Sequence, residues 1–170
     1  MRFIGIMMLG LFMALPNPAP ATFHTWRINE LYSNADGTVQ FIEFHEASGF
    51  NGQHLLAGHS LNSIQGGATK TFQFPNNLPN SLTAGRFFLV ATQGFADLGI
   101  VTPNYIVPAG FLFTDGGTLN FDIVDSVPYT TLPADGVSSV DRNGATAVNS
   151  PTNYAGTSGS TRVFADDFES

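Results

Sequence analysis

The chain has 170 residues, a length that suits one domain, and its 13 acidic side chains outnumber 6 basic ones for a formal net charge of −7. With Lys70 as the sole lysine and no basic cluster, it lacks the electrostatic footprint of a nucleic-acid binder, and acidic membrane surfaces would repel it. The absence of cysteine rules out thiolate metal sites and disulfide staples, so cations, neutral polymers or other proteins remain as partners.

The N-terminus reads as an export signal. Met1-Arg2 supplies a small positive region, Phe3 to Leu15 is apolar, and Ala19-Pro20-Ala21 has the small-x-small form of a cleavage site, placing the cut after Ala21. The apolar run is shorter than the roughly 20 residues that span a bilayer, so no transmembrane segment is expected in the mature chain. The protein is then secreted, periplasmic or held at the cell surface.

Beyond the signal, short runs of Val, Ile, Phe, Tyr and Thr alternate with Gly, Asn, Asp and Pro, the pattern of an all-β sandwich or barrel. Strands are predicted near 25–33, 38–46, 59–64, 70–74, 86–92, 104–107, 110–114, 118–124, 126–131 and 137–141. No stretch sustains helical periodicity. "SNADGT" and "TDGGTL" are the clearest hairpin turns, because Asp-Gly and Gly-Gly tolerate positive φ. Residues 22–142 are expected to form the sandwich. Residues 143–162, rich in Gly, Ser, Thr and Asn, read as a flexible linker.

The chain closes on residues 163–170, "VFADDFES", where Phe164 and Phe168 stand among three acids. The stretch resembles a Phe-Ala-Asp-Gly-Phe-Glu signature that ends many exported bacterial proteins, with Asp167 here in place of glycine. Either a recognition tag or a last edge strand fits that composition.

The segments "INELYSNADGTVQFIEFHEASG", "LLAGHSL", "TFQFP" and "LTAGRFFLVAT" follow one another over about residues 26–92. Together they resemble the lamin tail domain. Ile28, Asn29 and Glu30 match that family's opening, and Phe41, Ile42 and Glu43 match its Phe-Ile-Glu strand. His59 stands where the family carries Trp. The resemblance implies an immunoglobulin-like antiparallel β-sandwich, found in many exported bacterial proteins as a binding or structural module.

Glu30 and Glu43 are the first candidates for chemistry. Strand alternation puts Trp26, Ile28, Glu30 and Tyr32 on one face. Across a short turn it puts Val39, Phe41, Glu43 and His45 on the same face, with the two carboxylates opposite or diagonal at roughly 5–8 Å. Retaining glycosidases use about 5–5.5 Å, and calcium takes clustered oxygens. The third alternative is a structural pair that accepts hydrogen bonds from loop backbone. Lamin-tail-like sequences imply this reading, and a tight hairpin provides no cleft for a sugar.

The remaining motifs are incomplete. "GHSLN", Gly58 to Asn62, lacks the final glycine of a nucleophile elbow and no helix follows, which argues against Ser60 as a nucleophile. "HEASG" lacks the second histidine of a zinc-protease helix, and His24, His45, His54 and His59 show no ligand spacing. Asp36, Asp115 and Asp135 each precede glycine, as turn residues do, and Asp141 opens another turn. Asp122 and Asp125, three apart, are expected on opposite faces of one strand.

These observations point to an exported, non-catalytic β-sandwich whose partner is a protein or polysaccharide. A small carbohydrate-active or esterase-like hydrolase using Glu30/Glu43 or Ser60, and a calcium-stabilised surface module, are the alternatives.

Overall fold

A computed structural model describes residues 23–162. The expected signal of residues 1–21 and the aromatic, acidic tail of residues 163–170 lie outside the described residues. Within them the chain forms β1 (Arg27–Ser33), β2 (Gln40–His45), β3 (Ser60–Gln65), β4 (Ala68–Gln73) and β5 (Phe87–Thr92). It continues with α1 (Gln93–Asp97), β6 (Tyr105–Val107), β7 (Gly117–Phe121), β8 (Asp125–Tyr129), β9 (Ser138–Asp141) and β10 (Thr146–Val148).

These strands make two sheets packed as a β-sandwich, the all-β architecture expected. One sheet has the order β10-β9-β1-β2-β5-β6 and the other β4-β3-β7-β8. All pairings are antiparallel except β5 with β6. Between the sheets, Ile28, Ile42, Phe44, Phe88 and Val90 meet Leu61, Leu119, Phe121 and Val127. Phe44 stacks on Phe88 at 4.3 Å between centroids, and Trp26 meets the same Phe88 edge-on at 4.7 Å. Burying each such side chain contributes about 1.5–3 kcal/mol.

The larger sheet is covered on its other face as well. Tyr32, Phe41, Leu89 and Ala91 pack there under Phe95 and Val101, which belong to α1 and the loop after it. This two-sided burial explains why β5 reads "FFLVAT", a continuous apolar run without alternation.

α1 was not expected. Five residues are too few to show a 3.6-residue period, and the helix exists because Thr92 caps it, its Oγ1 accepting from Phe95 N at 3.3 Å. Gly94 lets α1 approach the β1–β2 turn, for a Cβ there would sit 2.5 Å from the Thr38 carbonyl oxygen. Gly94→Ala is therefore expected to destabilise the fold by about 1–3 kcal/mol, read as a lower urea midpoint at unchanged slope.

Two expectations need correction. Residues 110–114 form no strand, although Phe111 and Leu112 are buried. The Gln40 side chain replaces a partner strand: its Oε1 accepts from Leu112 N at 2.9 Å and its Nε2 donates to Leu112 O at 3.0 Å. The second correction concerns residues 143–162, which are not a linker. Thr146–Val148 is the edge strand β10, paired with β9. The chain then crosses the outer face of the larger sheet with Asn149, Tyr154 and Thr161 buried. The sandwich therefore extends through residue 162. The composition misled because this strap is held mainly by polar bonds, such as Asn149 Nδ2 to Val137 O and Thr157 N to Asn153 Oδ1.

Candidate functional site

Glu30 and Glu43 face each other directly across β1 and β2, as the hairpin geometry predicted. The face they share keeps Tyr32 and Phe41, as expected, but not Trp26 and Ile28. The register shifts between Ile28 and Glu30, where Ile28 pairs with Phe44 and Glu30 with Glu43, leaving Asn29 as the extra residue of a β-bulge. Trp26 and Ile28 consequently enter the core between the sheets, while Glu30 joins Tyr32 and Phe41 on the outer face. Period-2 alternation cannot anticipate an inserted residue.

The bulge is clamped by Asp125 of β8, in the other sheet, and by Arg142, just after the neighbouring strand β9. Asp125 Oδ2 accepts from Ile28 N at 2.7 Å and pairs with Arg142 Nη1 at 3.2 Å. Arg142 also donates to Ile28 O from its Nη1, and its backbone N–H goes to Asn29 O at 3.1 Å. Asp122 and Asp125 do not share a strand: residues 122–124 form the turn from β7 to β8, and Asp122 holds a positive φ of 48°.

Both glutamates are buried, Glu43 to 2% exposure and Glu30 to 7%. Glu43 Oε1 accepts from Asn29 Nδ2 and Oε2 from Thr152 N, each at 2.6 Å. Glu30 Oε1 accepts from Ser139 Oγ and from Ser150 N, the latter at 3.0 Å. Burial raises the Glu30 carboxyl above its ordinary value against the opposing effect of these bonds. Burial likewise pushes Glu43 up to about 7, with the Glu30 charge adding to the rise and the Asn29 and Thr152 bonds opposing it.

This arrangement closes the sandwich. Two donors come from the strap, at Ser150 and Thr152, and tie it to the central strands. The pocket beside Glu30, bounded by Asn29, Ser139 and Asp141, holds about 200 Å³. Ligand pockets generally run to roughly 300–1,000 Å³. The carboxylate oxygens face internal donors, and no cluster of three or more metal-ligating side chains occurs among the described residues.

The histidines lie apart. His59, half-buried just before β3, directs Nδ1 at Asp122 Oδ2 at 2.6 Å and meets the Phe23 ring edge-on at 4.2 Å. No hydrogen bond among the described residues joins it to the Ser60 hydroxyl, and β3 rather than a helix follows. His45 stacks on Phe87 at 4.1 Å, and burial lowers its pKa. Asp36, Asp135 and Asp141 serve turns, each accepting from backbone N–H groups two to four residues on.

Sequence reasoning passed over two polar groups. Glu46, in the rejected "HEASG" motif, is fully buried and accepts from the N–H groups of Ser48, Gly49, Phe50 and Gly85, knotting two loops together. The glycine two residues past its neighbouring alanine was the available signal of a turn around a carboxylate. Arg86 had no such signal, because its surroundings come from residues 79–80, 102–104 and 153–155.

No family model matches this sequence, and no curated protein or solved structure matches it either. Among the described residues, no helix is long and apolar enough to cross a membrane.

Proposed function

We propose that the chain is an exported, non-catalytic β-sandwich module of lamin-tail type that binds a protein or polysaccharide outside the cytoplasm. The observation that supports this most is the engagement of Glu30 and Glu43. Their oxygens accept hydrogen bonds from Asn29, Ser139, Ser150 and Thr152, so the pair holds the strap, and the pocket beside Glu30 holds only about 200 Å³. The isolation of Ser60 from His59 argues in the same direction against an esterase.

Thermal unfolding in the presence of EDTA, calcium and a panel of glycans tests this reading, since any ligand of the native state raises the midpoint. The expected result is an unchanged midpoint with EDTA or calcium, a rise with one polymer class, and no hydrolysis of any glycan or simple ester. Ser60→Ala should be silent in both measurements. Hydrolysis that vanishes in Ser60→Ala, or in Glu30→Gln with the fold intact, would replace the binding reading with an enzymatic one.

A further inference from the structure

Arg86 is held in place without an acidic partner. It donates from Nη1 to Tyr154 O at 2.9 Å, and its guanidinium lies 5.1 Å from the centroid of the Tyr154 ring. No carboxylate among the described residues lies within ion-pair distance of it, in a chain of net charge −7. It lines an open groove of about 520 Å³ together with Pro79, Asn80, Pro103, Asn104 and Tyr154.

The two asparagines are locked in one orientation. Asn104 Oδ1 accepts from Leu89 N at 2.9 Å and from Tyr154 N at 3.0 Å. Asn80 Oδ1 accepts from Leu82 N at 2.9 Å and from the Tyr154 hydroxyl at 3.1 Å. In both, the carbonyl oxygen is spent on the fold and the NH2 group has no internal partner among the described residues. The groove is thus lined by fixed donors and one unpaired positive charge, with two prolines as apolar walls. Such a lining is complementary to an acceptor-rich monoanion.

We propose that this groove binds a saccharide bearing a carboxylate, a hexuronate unit whose carboxylate meets Arg86 while its hydroxyl oxygens accept from Asn80 and Asn104. The inference rests on the reading of the chain as an exported binding module and names its ligand class. A peptide C-terminus shares the carboxylate, but its last side chain needs an apolar socket, and two prolines and Ala155 provide none. The charge of −7 also opposes a dense polyanion, favouring isolated carboxylates among neutral hydroxyls.

The test is an NMR titration of the whole exported protein with a tetrasaccharide carrying one glucuronate, following the Asn side-chain and Arg86 Nε–H signals. Shifts are expected at Asn80, Asn104 and Arg86. The matching neutral tetrasaccharide, and the Arg86→Gln variant with the uronate, should each bind about tenfold more weakly or worse, the scale of one charge-assisted contact. Ala155→Trp, at the exposed rim, should fill the groove and abolish binding with an unchanged melting curve, which keeps the test decisive if Arg86→Gln folds poorly. The proposal is overturned by absent binding, by shifts elsewhere, by equal binding of the neutral sugar, by indifference to both variants, or by tighter binding of a peptide with a free C-terminus. None of those results touches the non-catalytic reading, which fails separately if the tetrasaccharide is cleaved.

Discussion

A chain ending at Arg142 is expected to lose its cooperative unfolding transition at 25 °C. The missing residues include β10, the buried groups Asn149, Tyr154 and Thr161, and the Ser150 and Thr152 donors to Glu30 and Glu43. Stranding a buried carboxylate without its donors costs about 1–3 kcal/mol or more per group, and burial of Tyr154 adds about 2 kcal/mol. Those losses together consume most of the roughly 5–15 kcal/mol available to a domain of this kind. Chemical denaturation followed by near-ultraviolet circular dichroism of the shortened and full chains checks it. A shortened chain as stable as the full one would show that residues 143–162 act as the linker their composition suggests.

Stability is expected to fall as pH rises from about 4.5 to about 7, with Glu43 as the cause. Its carboxyl titrates near 7 when folded and near 4.5 when unfolded. Between those values the native state holds a proton that the unfolded state has released, so raising the pH favours unfolding. The stabilisation is fully present below 4.5 and gone above 7, and its size is at most about 3 kcal/mol. Lowering of the His45 pKa acts in the opposite direction near its own titration, so the informative quantity is the difference from Glu43→Gln. That variant cannot titrate at this position, and it presents an NH2 group to either Asn29 or Thr152. It should be less stable than wild type by about 1–3 kcal/mol at pH 5, with a smaller deficit at pH 8. Urea midpoints across this range test the point; parallel curves for the two proteins would place Glu43 as ionised throughout.

Much of the architecture was legible in local chemistry. Runs of β-branched and aromatic residues marked nine strands within a few residues of their positions, because such side chains fit a pleated, half-buried surface. Asp36-Gly37 located the hairpin turn between β1 and β2, and Gly37 holds the positive φ that turn requires, whereas "TDGGTL" ends the connection from β6 to β7, which lie in different sheets and form no hairpin. The spacing of Glu30 and Glu43 around one turn brought them together for the same reason: a hairpin's pairing is a short-range property.

The tertiary structure decided everything that depended on distant partners. The bulge at Asn29 exists because Asp125 and Arg142, about a hundred residues away, take the Ile28 N–H and the carbonyls beside it. That single inserted residue moved Trp26 and Ile28 into the core and left Glu30 outside it. Residues 110–114 lost their strand to the Gln40 side chain, and residues 143–162 became a strap because Glu30, Glu43 and Asn104 supplied acceptors for its backbone. Composition reports how much apolar surface a segment can bury. Whether its polar groups find partners depends on where the rest of the chain has been placed, and only the assembled sheets specify that.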